Sequence, residues 1–594
     1  MAILRRFAHH VRLAVAASLL AVLVSTVPTV PVSATSTIIV NSTADAVHNS
    51  VGNSCVTAGG TCSLRDAVLY ANNHQDTVIT VPPGVYKLTI VSTGSGDATT
   101  GALSLNSNVT INGAGASATT IDGSGITDGI FAIDHFTLSL NGLTMTNGMR
   151  LANGVTGGAL AISFSATATV ANCVFSHNLV IGPGGSAGAI GGSVNGGAIY
   201  NAGILVVSRS VFTNNTAAGG TGGSGGMQGG SATGGAIANS DTSTFVSVGD
   251  STFTGNVAQG GRGGTSSSAP STGGVGGFAD GGAIQFDGGA FGSIDFSIFG
   301  STFVGNSAIG GTGGVGTFEF VTGGTGGMGG DGNGGALSLY SSYSTKVGII
   351  NSTFVSNIAS GGNGGAGGQG TPMGSGGVGG AGNGGVFFTN TDGNTVTNVT
   401  IDGNSATGGT GGIGGGSTHG APGGHTGGGI IVLAGSTQVV NTIISNNGAS
   451  GNCTISGSGS IANGGHNLQF NPNSGCGNTA FTVGDPKLAP LANNGGFTQT
   501  REILPGSAAL DAGDDTYCGT AEVNSRDQRG IARPQGPHCD IGAYEEAHPN
   551  PQPAPKPLAT SITQTTVAPQ PQPIHPVAPT PAFAWKPQPQ PSRH

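Results

Sequence analysis

The chain has 594 residues, of which 116 are glycine, only 7% are charged and 5% are aromatic, with a formal net charge of −9 and a pI near 5.7. Ordinary glycine usage is about 7%, so this composition excludes a string of ordinary globular enzyme domains; without the strict period of collagen it points to low-complexity loops or a repeat array. The acidic balance argues against a nucleic-acid partner.

Residues 1–34 carry Arg5, Arg6 and Arg12, an apolar run from Leu13 to Val24, and "PVSA" suited to cleavage after Ala34. This is the pattern of a secretory signal peptide, with an apolar run too short to span a bilayer, and no later stretch is long enough to do so. Residues 35–80 read as an N-terminal cap. Within it "CSLRDAVLYAN" predicts a short helix, with Ser63 and Asp66 as a capping box and Leu64, Val68 and Ala71 as its apolar face. Such a helix would cover an otherwise open first coil.

Residues 81–450 read as a repeat array. Segments such as "VITVPPGVYKLTI" and "GALSLNSNVTING" are closely spaced short strands with Gly or Asn turns. From Gly157 onward two tetrads recur. The first is GGA[I/L], at Gly157, Gly196, Gly234, Gly281 and Gly334, degenerating at Gly384 and Gly427. The second is F-x-x-N, at Phe175, Phe212, Phe253, Phe303 and Phe354, degenerating at Ile401 and Ile444. Repeat length varies from 37 residues (Phe175 to Phe212) to 51 (Phe303 to Phe354), whereas the apolar end of each first tetrad precedes its Phe or Ile by only 13 to 19. Short β-branched runs lie between the tetrads. The pattern predicts an all-β solenoid, because a short strand buries its apolar face only by stacking on copies of itself. The glycine pair turns a corner, Ile or Leu points inward, and Phe stacks on Phe. Asn178, Asn215, Asn256, Asn306, Asn357, Asn404 and Asn447 form an amide ladder. The variable connections, such as "AAGGTGGSGGMQGGSATGG", have almost nothing apolar to bury and read as glycine-rich loops projecting from one edge.

Residues 451–546 close the array, and residues 547–594 are a Pro- and Gln-rich tail of extended, polyproline-like character. Six cysteines fall in close pairs, Cys55 with Cys62, Cys453 with Cys476 and Cys518 with Cys539, and read as three local disulfides of an exported protein; Cys173 is left over.

Catalysis would need clustered charge. Between residues 150 and 450 the bases are Arg150, Arg209, Arg262 and Lys346, and the acids are Asp241, Asp250, Asp280, Asp287, Asp295, Glu319, Asp331, Asp392 and Asp402, thinly spread. Asp280 and Asp331 flank successive glycine corners, where they would approach each other as a carboxylate or Ca²⁺ pair; corner solvation is the reading preferred, and no catalytic residue, metal ligand or cofactor is assigned. The densest polar cluster, Asp511, Asp514, Asp515, Arg526, Asp527, Arg529, Arg533 and Asp540, reads as a network locking the last coil beside Cys518 and Cys539.

Three resemblances follow from these residues. "CSLRDAVLYAN" (Cys62 to Asn72) resembles the N-terminal motif of CSLREA-domain secreted proteins, with Asp66 for the usual Glu. "RDQRGIARPQGPHCDIGAYE" (Arg526 to Glu545) resembles the end of the choice-of-anchor Q domain of bacterial surface proteins. The paired tetrads resemble the repeats of polymorphic outer-membrane proteins, which implies that the all-β solenoid is a right-handed parallel β-helix with an adhesive role; those proteins end in an autotransporter barrel, and this chain ends in a proline-rich tail. The resemblances imply a secreted or cell-surface protein, an adhesin or envelope-associated scaffold whose partner is an extracellular polysaccharide or cell-surface ligand. The alternative is a carbohydrate-active enzyme, a polysaccharide lyase or glycosidase, on the same fold.

Overall fold

The computed structural model describes residues 36–547 apart from 49–54, 56–59, 95, 152–153, 155–156, 241–244, 267–271, 289–294, 318–321, 342–345, 417, 472–475 and 477–480. The expected signal peptide and the tail from residue 548 lie outside the described residues, as do Asp241 and Glu319.

The chain is a parallel β-helix of five sheets. Sheets A and B have 12 strands each, sheet C has 10, sheet D seven and sheet E six. One coil shows the path: Ile204–Ser208 in sheet A, Val211–Thr213 in B, Thr216–Ala218 in D, a glycine-rich excursion, Ala232–Thr233 in E, and Ile237–Asn239 in C. The register holds without slippage, so Phe175, Phe212, Phe253, Phe303, Phe354, Ile401 and Ile444 form one column. The early coils use only A, B and C, and their open end is covered by helix α1 (Leu64–Asn72). Its capping box is formed by Ser63 and Asp66, and Arg65 lies fully buried with its Nε 2.6 Å from Asp45 Oδ1.

The recurring "S-T-F-x-x-N-x-A" wording maps position by position onto the coil. The Ser column (Ser210, Ser251, Ser301, Ser352) is a ladder in which each Oγ accepts the backbone N–H one coil earlier, at 3.1–3.2 Å. The Thr faces outward. The Phe rings stack at 4.7 Å between centroids from Phe175 to Phe354, all fully buried. Each Asn donates its backbone N–H and its Nδ2 to the next coil's Asn Oδ1, and the Nδ2 also reaches the preceding coil's Phe carbonyl; for Asn215 these distances are 3.1, 2.9 and 3.0 Å. The ladder runs from Asn178 through Asn447 and ends on Asn452. The Ala, with Val180 and Val194, packs a small second core between sheets D and E, made of Ala217, Ala232, Ala258, Ala279 and Ala308.

At the glycine corner, the first residue of each pair has positive φ, for example Gly234 at 60° and Gly281 at 65°, a region open to glycine at little cost. The second has no room: a Cβ on Gly235 would lie 2.1 Å from the Gly282 carbonyl oxygen.

The glycine-rich connections are not projecting loops. From Gly219 onward the described residues run out as GG-x-GG-x and return in the same three-residue wording, and the arms stack into a bundle of two layers. Within a layer the first glycine of a pair donates to the next coil, as from Gly222 to Arg262 O and from Gly263 to Thr312 O, both 2.8 Å. Between layers the second glycine donates across, giving an unbroken zigzag Gly423→Gly409→Gly380→Gly362→Gly330→Gly311→Gly277→Gly261→Gly230→Gly220→Gly192 at 2.8–2.9 Å. None of these glycines has positive φ. They are there for close approach: a Cβ on Gly277 would lie 1.9 Å from Gly230 O, and one on Gly311 would lie 2.0 Å from Gly261 O. Extended arms of three residues per turn have no internal hydrogen bonds, so every backbone group is free to bond outward to neighbouring arms. The sequence lacks a collagen-like period over its whole length, but inside each connection the three-residue period is kept.

The C-terminal region divides differently from the expectation. The β-helix continues through Cys453–Ile455, Ser460–Asn463, Leu468–Phe470 and Thr482–Val483. Residues 485–547 then double back as a strap along the outer face of sheet B. The strap docks on the outward threonines of the repeat: Thr302 Oγ1 donates to Gln499 O (2.6 Å), Thr353 Oγ1 to Gln528 Oε1 (2.6 Å), and Thr400 Oγ1 accepts from Ala543 N (3.0 Å). Arg501 is paired with Asp402. The strap therefore reaches coils well upstream through Gln499, Gln528 and Ala543, while the polar cluster also meets the closing coils, where Asp514 N donates to Asn441 Oδ1 (2.9 Å).

Candidate binding surface

With two of every three residues turned inward, the third side chain of each arm stands on an outer face of the glycine bundle. Along the outgoing arms Thr221, Arg262, Thr312, Asn363 and Thr410 form one column, with Thr410 N donating to Asn363 Oδ1 (2.9 Å). Along the returning arms the column is Ile190, Gln228, Val275, Met328, Val378 and Ala421. Ile190, Met328 and Val378 are 62%, 52% and 39% exposed, and Phe278 stands beside them in the next column at 39%. Successive members are one coil apart, roughly 4.8 Å, and successive columns are one three-residue turn apart, about 9 Å. The returning face thus carries one largely apolar column, broken at Gln228 and held in register by backbone hydrogen bonds, with Thr325, Ser375 and Thr418 in the column on one side and Ser231, Phe278 and Asp331 in the column on the other. Among the described residues Asp331 is the one charged side chain in its columns.

The residues singled out from the sequence sit elsewhere. The Phe column and Asn ladder are wholly interior. The disulfides join Cys55 to Cys62, Cys453 to Cys476 and Cys518 to Cys539. Cys173 occupies the first rung of the Ser ladder, its Sγ 3.2 Å from Ala171 O, where Ser210 Oγ lies 2.8 Å from Ser208 O one coil later. Burial pushes its thiol up to about 11, so it is an inert filler, not a nucleophile.

Asp280 and Asp331 are not a hydrogen-bonded pair. In sheet E, Asp280 stands in register with Asn333, within a polar column of Asn195, Thr233, Asp280, Asn333, Asn383 and Thr426 that the sequence reading missed. Its Oδ1 accepts from Asn333 Nδ2 (2.9 Å) and Tyr340 OH (3.0 Å), while Asp331 Oδ1 accepts from Ala381 N (2.7 Å). The residue directly before each GG pair was the available signal: Asn, Thr, Asp, Asn, Asn, Thr. Among the described residues no group of three or more His, Cys, Asp or Glu is placed to hold a metal ion.

Burial pushes the Asp280 carboxyl up to about 6, against the pull of its Asn333 and Tyr340 donors. With the folded value above the unfolded one, its contribution to stability is fully present below pH 3.8 and lost as pH rises through about 6. We expect Asp280→Asn, which keeps the Oδ1 acceptor, to be more stable than the parent at pH 8 by about 1–2 kcal/mol after allowance for partial exposure, with the difference gone by pH 3.8. Denaturation midpoints of both proteins across that range check this; an unchanged gap would show that Asp280 does not titrate there.

The strap carries the densest charge. Arg533 donates to Asp540 O (2.7 Å) and Gly542 O (2.6 Å) and faces Glu545 at 3.5 Å, all three side chains being buried. Burial pushes Glu545 up to about 7 and Arg533 down. Arg529 pairs with Asp527 at 2.7 Å and stacks on Tyr544 at 3.5 Å, and Asp527 also accepts backbone N–H groups of Arg529, Ile531 and Glu545. These groups are paired chiefly with one another, as in a structural lock, although the buried Arg533 Nε has no hydrogen-bond partner among the described residues.

No protein-family model matches the chain, and no curated protein matches it. Among solved structures the chain is similar to pectate lyase Pel9A at 13% identity, covering 86% of this chain and 96% of that one, with a TM-score of 0.32. It is also similar to the catalytic domain of a GH87 α-1,3-glucanase (12% identity, 68% and 67% covered, TM-score 0.26) and to the PL6 family alginate lyase AlyGC (11%, 80% and 57%, 0.23).

Proposed function

We propose that the chain is a non-catalytic binding scaffold, secreted or displayed at a cell surface, that holds an extracellular polysaccharide or cell-surface ligand on the returning face of its glycine bundle. The observation that carries this reading is the column from Ile190 to Ala421: apolar side chains, interrupted at Gln228, of which Ile190, Met328 and Val378 are exposed, repeated at fixed spacing on an almost uncharged layer. Exposed apolar side chains gathered in one column mark a surface suited to a partner, and repeated weak contacts along one ligand add up by avidity. Three disulfides fit an oxidising compartment, as do the signal-like first 34 residues and the resemblance to CSLREA-domain and choice-of-anchor Q proteins. No described helix is long and apolar enough to cross a membrane.

The test is to incubate the purified protein with acidic and neutral polysaccharides and with intact cells, recording both retention and release of unsaturated or reducing ends. We expect retention without release, weakened at least about tenfold when Met328→Asp and Val378→Asp are combined; charges on exposed positions leave the fold intact. Release of new ends that a carboxylate substitution abolishes would make the protein an enzyme. Retention indifferent to the double substitution would remove the returning face from the account.

A further inference from the structure

Where the strap crosses from sheet B toward sheet A it leaves a groove of 590 Å³, away from the glycine bundle. That volume lies within the roughly 300–1,000 Å³ of small-molecule sites. Ser247 and Ser297, on adjacent coils with hydroxyls 3.1 Å apart, line it together with Phe299 and, from the strap, Val523. Phe497 projects from the strap with 62% of its surface exposed, and the Arg209 guanidinium sits 4.3 Å from its ring centroid. An exposed phenyl ring held flat by a cation on one face leaves its other face available for stacking at little further entropic cost.

Two polar groups in the wall are under-used. Asn351 is 93% buried (7% exposed); its Nδ2 donates to Arg526 O at 2.9 Å, but its buried Oδ1 finds no partner among the described residues. A buried acceptor without a donor costs free energy unless a ligand supplies one. Asp250, its side chain 30% exposed, lies 3.9 Å from Arg209 Nε, and its partial burial pushes the carboxyl up from the ordinary value against the pull of Arg209.

We propose that this groove is a binding site for a neutral pyranose sugar, stacked on Phe497 with its hydroxyls turned to Asp250, Asn351 and the serine pair. A pyranose combines an apolar C–H face with a rim of hydroxyls that both donate and accept, matching one flat ring beside mixed acceptors and donors. The charge balance selects the neutral class. Arg209 is matched by Asp250 and Arg529 by Asp527, and the exposed Arg526 is offset by the exposed Glu522. No unmatched cation is left for a uronate or a phosphate. The site is separate from the returning face, so either can fail without the other.

Calorimetric titration of the full chain with gluco-, manno- and galacto-configured neutral tetrasaccharides, and with trigalacturonate as the acidic probe, decides the matter. We expect at least one neutral tetrasaccharide to bind more tightly than trigalacturonate. Phe497→Ala should weaken it about tenfold while Phe497→Tyr stays within about threefold. Ser297→Leu, which fills the groove from an outward position, should abolish binding even if the Phe497 variants fold poorly, and Met328→Asp should leave it unchanged. The proposal is overturned if no neutral tetrasaccharide binds, if trigalacturonate binds as well or better, or if Phe497→Ala or Ser297→Leu leaves the affinity unaltered.

Discussion

Replacing Gly277 with alanine is expected to destabilise the protein by about 3 kcal/mol, at the upper end of ordinary overpacking costs. The new Cβ would lie 1.9 Å from Gly230 O and 2.6 Å from Gly230 C, both backbone atoms held in the zigzag, so no flexible side chain can swing away. The strain would spread, because Gly277 donates to Gly261 O and accepts from Gly311 N, each at 2.8 Å. The sign of the effect is diagnostic. In a free loop, Gly→Ala at ordinary negative φ stabilises by about 0.4–1 kcal/mol through the unfolded state; in the bundle the same change destabilises. Thr312→Ala, at an exposed outward position of the next arm, serves as the control, expected to change stability by no more than about 0.5 kcal/mol. Denaturant midpoints of the two variants against the parent check this.

Phe253→Ala carries the other large effect, a loss of about 3–5 kcal/mol. The ring is fully buried between Phe212 and Phe303, each 4.7 Å away and within 3° of parallel. Its removal leaves a gap in a column whose neighbours are fixed by backbone pairing and cannot close in. Phe253→Leu should cost far less, since it keeps most of the volume. In a solenoid each coil leans chiefly on its neighbours, so the loss should centre on the coils around residues 212–303, leaving the early coils near α1 protected. Local hydrogen exchange resolves this, and a uniform loss of protection along the chain would contradict it.

The interior was legible in the sequence because solenoid repeats write the same inward residue at the same place. Phe212, Asn215 and Gly196 each announce a column, and the structure puts them in register. The alanine of N-x-A and the residue before each GG pair were written just as regularly. They went unread because a small or polar residue carries no apolar signal by itself, and its meaning appears only when sheets D and E are seen to face each other. The glycine tracts were misread for a related reason. Low apolar content argues for loops when burial is judged by side chains, but here the packed surface is backbone, and the cue was the local GG-x period. The strap could not be foreseen: the outward threonines of "STF" look like ordinary exposed strand positions until residues 498–543 lie across them. Likewise Arg209, Asp250 and Asn351 hold the same corner position on stacked coils, as their backbone N–H bonds to Gly249 O, Phe299 O and Thr397 O show, and Phe497 joins them only because the strap turns back.

The binding face exists only if the glycine tracts form a hydrogen-bonded bundle, and amide hydrogen exchange of peptides covering residues 219–231, 260–266, 310–317, 361–368 and 374–381 measures that directly. The expected result is that both glycine amides of each pair, the first donating within a layer and the second across, exchange as slowly as strands of sheet D. Exchange of these tracts at the rate of an unstructured chain, while sheets A and B stay protected, would contradict it and would remove the rigid face on which the proposed function depends.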